Sequence, residues 1–229
     1  MGAKAYLLEM RPAEFDEHFS GLGEAFIRTL SHDYSNLGRT LSAVCGLEDV
    51  QPEGVLHVDL ETTGLMGTPL FLIGTMGWEN GEFAIRQYLA RDYSEEPAVI
   101  SLFLDAAEGR QLLVTFNGKT FDLPYIRLRA AASNIPFALQ TAHFDLLHEC
   151  RRVWRHVLPD CRLQTLESRV CGRARRVDIR GEHIGDAYHA FVRTGNAAQM
   201  IDILRHNAMD LITMADLMVR LASRRYRLD

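Results

Sequence analysis

Cysteine is scarce: Cys45, Cys150, Cys161 and Cys171 are all there are, and no two have C-x-x-C spacing. A disulfide framework or a cysteine-built zinc site is therefore not expected, and reduced thiols in the cytoplasm are. Long apolar runs are missing too. None reaches the roughly 18–20 residues that span a bilayer, so no membrane contact is expected. The opening MGAKAYLLEMRPAEFDEHF has no extended apolar stretch of the kind a secretory signal needs. Tyr6 stands where a myristoylation signal requires Ser or Thr. No segment repeats, and none is of low complexity. A surplus of positive charge is also absent, the net charge being −5. That balance does not exclude a polyanionic partner, because net charge hides distribution. Between Arg151 and Arg180 nine arginines face only Asp160, Glu167 and Asp178, and Arg224, Arg225 and Arg227 form a second group.

What is present is enough apolar residue, 47% of 229, for a sizeable core. The length suits one domain with an appendage. Residues 1–50 read as a helical, peripheral N-terminal extension. Phe15, Phe19, Leu22, Phe26 and Leu30 keep helical spacing from Glu14 to Leu30. Pro52-Glu53-Gly54 then punctuates the chain, and residues 51–229 form the main domain. Val55–Leu60, Pro69–Trp78 and Phe83–Leu89 read as three consecutive strands, the last two joined at the hairpin signal Asn80-Gly81. Next come a helix over Pro97–Ala107, a strand over Leu112–Phe116, a helix from Phe121 to Ala132, a strand over Phe144–Leu147, and then mostly helix. This order predicts an α/β fold: three antiparallel strands joined to parallel βαβ units in a mixed sheet, with helices on both faces.

Three constellations carry chemistry. Asp59 and Glu61 are two apart on an apolar strand, so both point to one face. Two adjacent carboxylates repel, and a hard divalent cation such as Mg²⁺ or Mn²⁺ supplies the missing charge. The second is Phe116-Asn117-Gly118-Lys119-Thr120-Phe121-Asp122, where a strand ends and a helix begins. Carboxylates at strand ends converge on the cleft of an α/β sheet. A carboxylate at a helix start is equally favoured by the helix dipole. Gly118-Lys119-Thr120 is not a phosphate loop, since Leu113 stands where that motif needs glycine. The third pairs His206 with Asp210, four apart on one face of a long late helix. Four carboxylates from a strand, a strand–helix junction and a helix suit a two-metal site. An imidazole beside it suits the general base, its ordinary pKa lying near neutrality.

These residues resemble the motifs of the DEDD, or DnaQ-like, 3′→5′ exonucleases of the RNase H-like superfamily. Asp59, Glu61, Asp122 and Asp210 match the four acidic ligands in order, and Asp-x-Glu-Thr-Thr-Gly is the first motif as it stands here. Asn117-x-x-x-Phe-Asp-x-Pro-Tyr is similar to the second motif of family B polymerase proofreading domains. Leu113-Val-Thr-Phe-Asn-Gly-Lys-Thr-Phe-Asp, Phe144-Asp-Leu-Leu-His, Leu158-Pro-Asp-Cys-Arg-Leu-Gln-Thr-Leu-Glu and His206-Asn-x-x-Asp resemble the bacterial YprB-like domains, over roughly residues 55–222. In the histidine branch of the family the interval before the last Asp is one residue longer. Here His206 takes the spacing of the tyrosine branch, a form the YprB-like chains share.

The resemblance implies a nuclease using two Mg²⁺ or Mn²⁺ ions held by Asp59, Glu61, Asp122 and Asp210. His206 would be its base and a single-stranded 3′ end of DNA or RNA its substrate. Asp145, Asn117 and Lys119 are candidates for a supporting or substrate-contacting role. The arginine clusters are candidates for phosphate contact. Phe116, Phe121, Tyr125 and Trp154 are candidates for base stacking, though core packing accounts for each. An endonuclease or junction-cleaving enzyme on the same fold is the alternative, as is a non-catalytic nucleic-acid-binding scaffold.

Overall fold

The computed structural model describes residues 4–15, 19–30, 36–175 and 179–223. A six-stranded sheet forms its middle, in the order β1-β4-β3-β2-β5-β6. The strands are β1 (Tyr6–Met10), β2 (Val55–Thr62), β3 (Leu70–Glu79), β4 (Glu82–Leu89), β5 (Leu112–Thr115) and β6 (Ala142–Asp145). β1 to β4 pair antiparallel, and β5 and β6 join β2 in parallel. The hairpin at Asn80-Gly81 is the tight one its sequence requires, both residues having positive φ (52° and 87°).

The helices are α1 (Pro12–Phe15), α2 (Leu22–Leu30), α3 (Asn36–Cys45), α4 (Glu96–Ala107), α5 (Asp122–Ala132), α6 (Leu146–Trp154), α7 (Leu163–Arg169), α8 (Gly181–Thr194) and α9 (Ala198–Ala222). They cover the sheet on both faces, and alternation along β2 decides which side chain meets which layer. Leu56, Val58 and Leu60 pack with Val99, Phe103, Tyr125, Ile126 and Tyr188 of α4, α5 and α8. Val55 turns to the opposite face, where α2, α3, α6 and α9 contribute Phe26, Leu37, Trp154, Leu211 and Met218. Asp59 and Glu61 share the parity of Val55, so they lie on the face that α9 crosses. No helix among the described residues is long and apolar enough to cross a membrane.

The N-terminal segment corrects one expectation. Residues 1–50 are not a purely helical, peripheral extension. β1 extends the sheet by pairing with β4, from Tyr6 opposite Leu89 to Met10 opposite Ile85. Phe26 and Leu37 are 0% and 1% exposed in the main core. The helix expected from Glu14 to Leu30 is found as α1 and α2, separate elements, and residues 16–18 lie outside the described residues. β6 ends two residues sooner than expected, because the Asp145 carboxylate accepts the Leu147 backbone N–H and so caps α6.

Candidate active site

The acidic residues gather at the carboxyl end of the parallel strands. β2 brings Asp59 and Glu61 to one face, Glu61 only 8% exposed and followed by a register shift against β3. β5 ends at Thr115, and the chain turns through Asn117, whose φ is 69°. It then enters α5 at Asp122, 4% exposed. α9 passes over this end and carries His206, Asn207 and Asp210 on neighbouring turns.

Electrostatics tie the four carboxylates together. The Asp59 carboxyl is held well above its usual range by burial first, then by the charges of Asp210, Glu61 and Asp122. Asp122 is pushed up to about 7, again by burial foremost, with Asp145 and Asp210 adding to it. Such mutual repulsion arises only where like charges share a low-dielectric space. Strong perturbation of this kind, in a cleft, is a mark of a functional site.

The remaining predicted residues fall into place around this group. Asp145, 2% exposed, accepts the backbone N–H groups of Asn117 at 2.8 Å and Lys119 at 3.0 Å. It thereby fixes the turn that delivers Asp122. Asn117 uses its side-chain oxygen to accept the Thr120 hydroxyl at 2.7 Å, and Lys119 is exposed at the rim. His206 Nε2 lies 3.5 Å from Asp210 Oδ2. Tyr125 and Trp154 are 0% and 2% exposed, which removes them as base-stacking platforms. Phe116 and Phe121 also pack against the core, though only partly buried. Of the arginines between 151 and 180, Arg152 pairs with Glu149 and Arg173 with Asp216. Arg151, Arg155, Arg162, Arg169 and Arg180 are exposed. Arg176 and the group Arg224, Arg225 and Arg227 lie outside the described residues.

Three residues that the sequence did not single out complete the site, with Gln87 supporting the first of them. Asn207, wholly buried, donates from Nδ2 to Asp59 Oδ2 at 2.8 Å. Its own oxygen accepts from Gln87 Nε2 on β4, also at 2.8 Å. The Gln87–Asn207–Asp59 chain thus sets the orientation of one carboxylate. Gly74, opposite Asp59 on β3, makes room for it: a Cβ there would lie 2.0 Å from the Asn207 oxygen. The third is Arg175. Its guanidinium donates to Glu167 at 2.7 Å, to Asp210, and to His206 Nδ1 at 3.2 Å. The only sequence signal for Asn207 was its place inside the His-Asn-x-x-Asp phrase, and Arg175 was one arginine among many.

The donor set is all hard carboxylate oxygen, which suits Mg²⁺ or Mn²⁺ rather than a soft ion. Among the described residues no three His, Cys, Asp or Glu side chains are yet gathered as a ready metal site. Asn207 holds one Asp59 oxygen and Arg175 holds one Asp210 oxygen.

The uncharacterized protein YprB of Bacillus subtilis (strain 168) is 30% identical over 195 residues, 83% of this chain. The chain spans 46% of that protein's length. Among solved structures, the family B DNA polymerase of the hyperthermophilic archaeon Pyrobaculum calidifontis superposes with a TM-score of 0.60 at 18% identity. That match covers 73% of this chain and 24% of the polymerase, and it speaks for the fold. The Nibbler EXO domain of Aedes aegypti aligns at a TM-score of 0.40 and 14% identity, over 81% of this chain and 84% of that one. The RNase_H_2 family matches residues 56–222, a span that holds β2 to β6, Asp59, Glu61, Asp122, His206 and Asp210. On that match, and on the mixed sheet it predicts, the chain belongs to the RNase H superfamily.

Proposed function

We propose that the protein is a metal-dependent nuclease that hydrolyses nucleic-acid phosphodiester bonds, working as an exonuclease from the 3′ end. The observation that carries this reading is geometric: Asp59 and Glu61 share one face of β2, with Asp122 at the start of α5 and Asp210 on the helix that crosses that face. Asp210 and Asp122, brought from distant parts of the chain, and Glu61 of the same strand add to the cost that burial puts on the Asp59 charge. A fold does not keep such a surplus of negative charge without a use for it, and a pair of divalent cations relieves it. Asp59, Glu61, Asp122 and Asp210 would hold the two ions, Mg²⁺ or Mn²⁺. Such ions, when bound, activate a water and stabilise the departing oxygen of the diester.

The chain's own groups supply the rest. His206 takes the proton of the attacking water, its imidazole standing beside Asp210 on the cleft side of α9. Asn207 and Gln87 keep Asp59 from rotating away. Asp145 holds the turn before Asp122, so that α5 starts where the cleft needs it. The exposed arginines between 151 and 180 lie on a surface that would take backbone phosphates without reading sequence. The covered share of YprB is compatible with further parts acting beside this domain.

A panel of labelled DNA and RNA strands, single and double, tests the reading in Mg²⁺, Mn²⁺ or chelator. Cleavage that requires the cation and yields a ladder of progressively shorter 5′-labelled fragments is expected. Discrete internal cuts would replace the exonuclease with an endonuclease on the same site. No cleavage of any strand, with no Mn²⁺ bound, would leave a nucleic-acid-binding scaffold.

A further inference from the structure

Arg175 is out of place for an arginine meant to meet solvent or phosphate. Its side chain is only 8% exposed, and it points into the acidic cluster. One face of the guanidinium is fixed by Glu167 of α7, through Nε at 2.7 Å. Glu167 is itself 2% exposed, and its other oxygen, Oε1, has no hydrogen-bond partner among the described residues. The outer nitrogens then reach Asp210 Oδ1 and His206 Nδ1. Since a guanidinium only donates, Nδ1 of His206 is the acceptor, and a neutral ring carries its proton on Nε2, toward Asp210. In this arrangement neither Asp210 nor His206 is ready for the chemistry proposed for it.

We propose that Arg175 is a positioning residue of the acidic site: a built-in cation, anchored on Glu167, that holds Asp210 and His206 until a divalent cation takes Asp210 from it. The inference rests on the reading of Asp210 as a metal ligand. Charge supports it. Two divalent ions balance Asp59, Glu61, Asp122 and Asp210, while Arg175 and Glu167 balance each other. The loaded site is therefore neutral with the guanidinium turned back to Glu167 alone. That retreat frees Nδ1 of His206. Arg173, two residues earlier, makes a comparable contact with Asp216 of α9, which Arg220 also holds. It is the ordinary structural version of the same contact.

Mn²⁺ titration calorimetry on the full chain tests this, with melting temperatures taken alongside. The informative variant is Arg175→Gln with Glu167→Gln. It removes both members of the buried pair, strands no charge, and leaves the net charge unchanged. It is expected to bind Mn²⁺ on the order of tenfold tighter than wild type, the exchange of one charge-assisted hydrogen bond. Arg173→Gln is expected to lower the melting temperature and leave Mn²⁺ affinity where it was. A merely structural Arg175 would behave like Arg173, so Mn²⁺ affinity equal to or weaker than wild type in the double variant overturns the proposal. Binding by wild type that vanishes in Asp59→Ala, with the double variant unmoved, sinks this inference alone. Absence of Mn²⁺ binding in wild type and double variant alike sinks the metal-site reading together with it.

Discussion

Two groups of charge lie toward opposite ends of β3, and they are built on opposite terms. Near its end, Glu79 receives both outer nitrogens of Arg86 at 2.5 and 2.6 Å, with Arg110 at 3.4 Å. Arg86 also donates to Glu9 at 2.8 Å, and Arg11 to Glu82 at 2.9 Å. The Arg86 guanidinium holds the Glu79 carboxyl below its usual range. In the other half of the strand, where Gly74 faces Asp59, burial and then neighbouring carboxylates raise Asp59 and Asp122 above theirs. The first group joins β1, β3 and β4 and asks for nothing more. The second gathers Asp59, Glu61, Asp122 and Asp210 around a single guanidinium, Arg175, which Glu167 shares. A saturated ionic network stabilises the fold, whereas crowded carboxyl groups raised above their usual range are the pattern associated with functional sites.

The widest separation of the two regions is expected from deletion of single carboxylates. Asp59→Ala or Asp210→Ala should lower hydrolysis of a labelled strand by ~10⁴-fold or more, the several kcal/mol a lost metal site removes. Circular dichroism and melting should show the fold intact, because relief of repulsion offsets any lost contact. Near-wild-type rates from either purified variant would dissolve the distinction. His206→Ala comes next, with an expected fall of ~10²–10³ in rate and unchanged strand binding, as for loss of a general base. A fall in binding instead would make the imidazole a substrate contact.

Asp122 gives the comparison a pH axis. Its folded pKa of about 7 exceeds the ordinary 3.8, so the folded state binds the extra proton between those values. Stability of the metal-free protein through this group therefore falls as pH rises from about 4 to 7. Asp122→Asn is expected to melt above wild type at pH 8 without metal, by on the order of 3 kcal/mol, and the gap should close on acidification. Saturating Mg²⁺ should erase it, by stabilising wild type. A gap independent of pH would mean the carboxylate is not strained. Asn207→Ala follows at ~10–100-fold in rate, the usual cost of losing a partner that orients a ligand. Equal rates would show that Asp59 orients itself.

The strands from β2 to β5 were legible because each is an apolar run bounded by Pro, Gly or Asn, and their limits shift by only a few residues. The four carboxylates and His206 could be proposed from the sequence because residue type and spacing constrain them together. What the sequence could not display is approach across the fold. Tyr6–Met10 carries no alternation that distinguishes an edge strand from a helix start, and only pairing with β4 decides it. Asn207 sits between His206 and Ala208 like any buried amide, until Gly74 lets it reach Asp59. Gln87 reads as a polar residue in a strand, yet it is wholly buried against Leu204 and Asn207. Arg175 has the same local surroundings as Arg173. A difference of two residues sends one to Asp216 and the other to Asp210, and neither target is near in sequence.

The smallest expected effect belongs to the paired region, and its sign is what matters. Glu79 and Arg86 are a quarter to a third exposed, so Glu79→Ala should cost only about 1 kcal/mol, with Arg86 retaining Glu9 and water. Because the Glu79 pKa is depressed, its contribution is present above the ordinary carboxylate range and is lost as pH falls through its folded value. Acidification should therefore close the gap with wild type from above for Glu79→Ala, whereas it closes from below for Asp122→Asn. High salt should shrink the Glu79 effect as well, since partly exposed pairs are screened. Denaturant melts of both variants at pH 8, 6 and 4 read the two signs in one experiment, alongside hydrolysis rates that Glu79→Ala leaves unchanged. If both gaps moved the same way, the two ends of β3 would not differ in kind, and surplus charge would no longer mark the site.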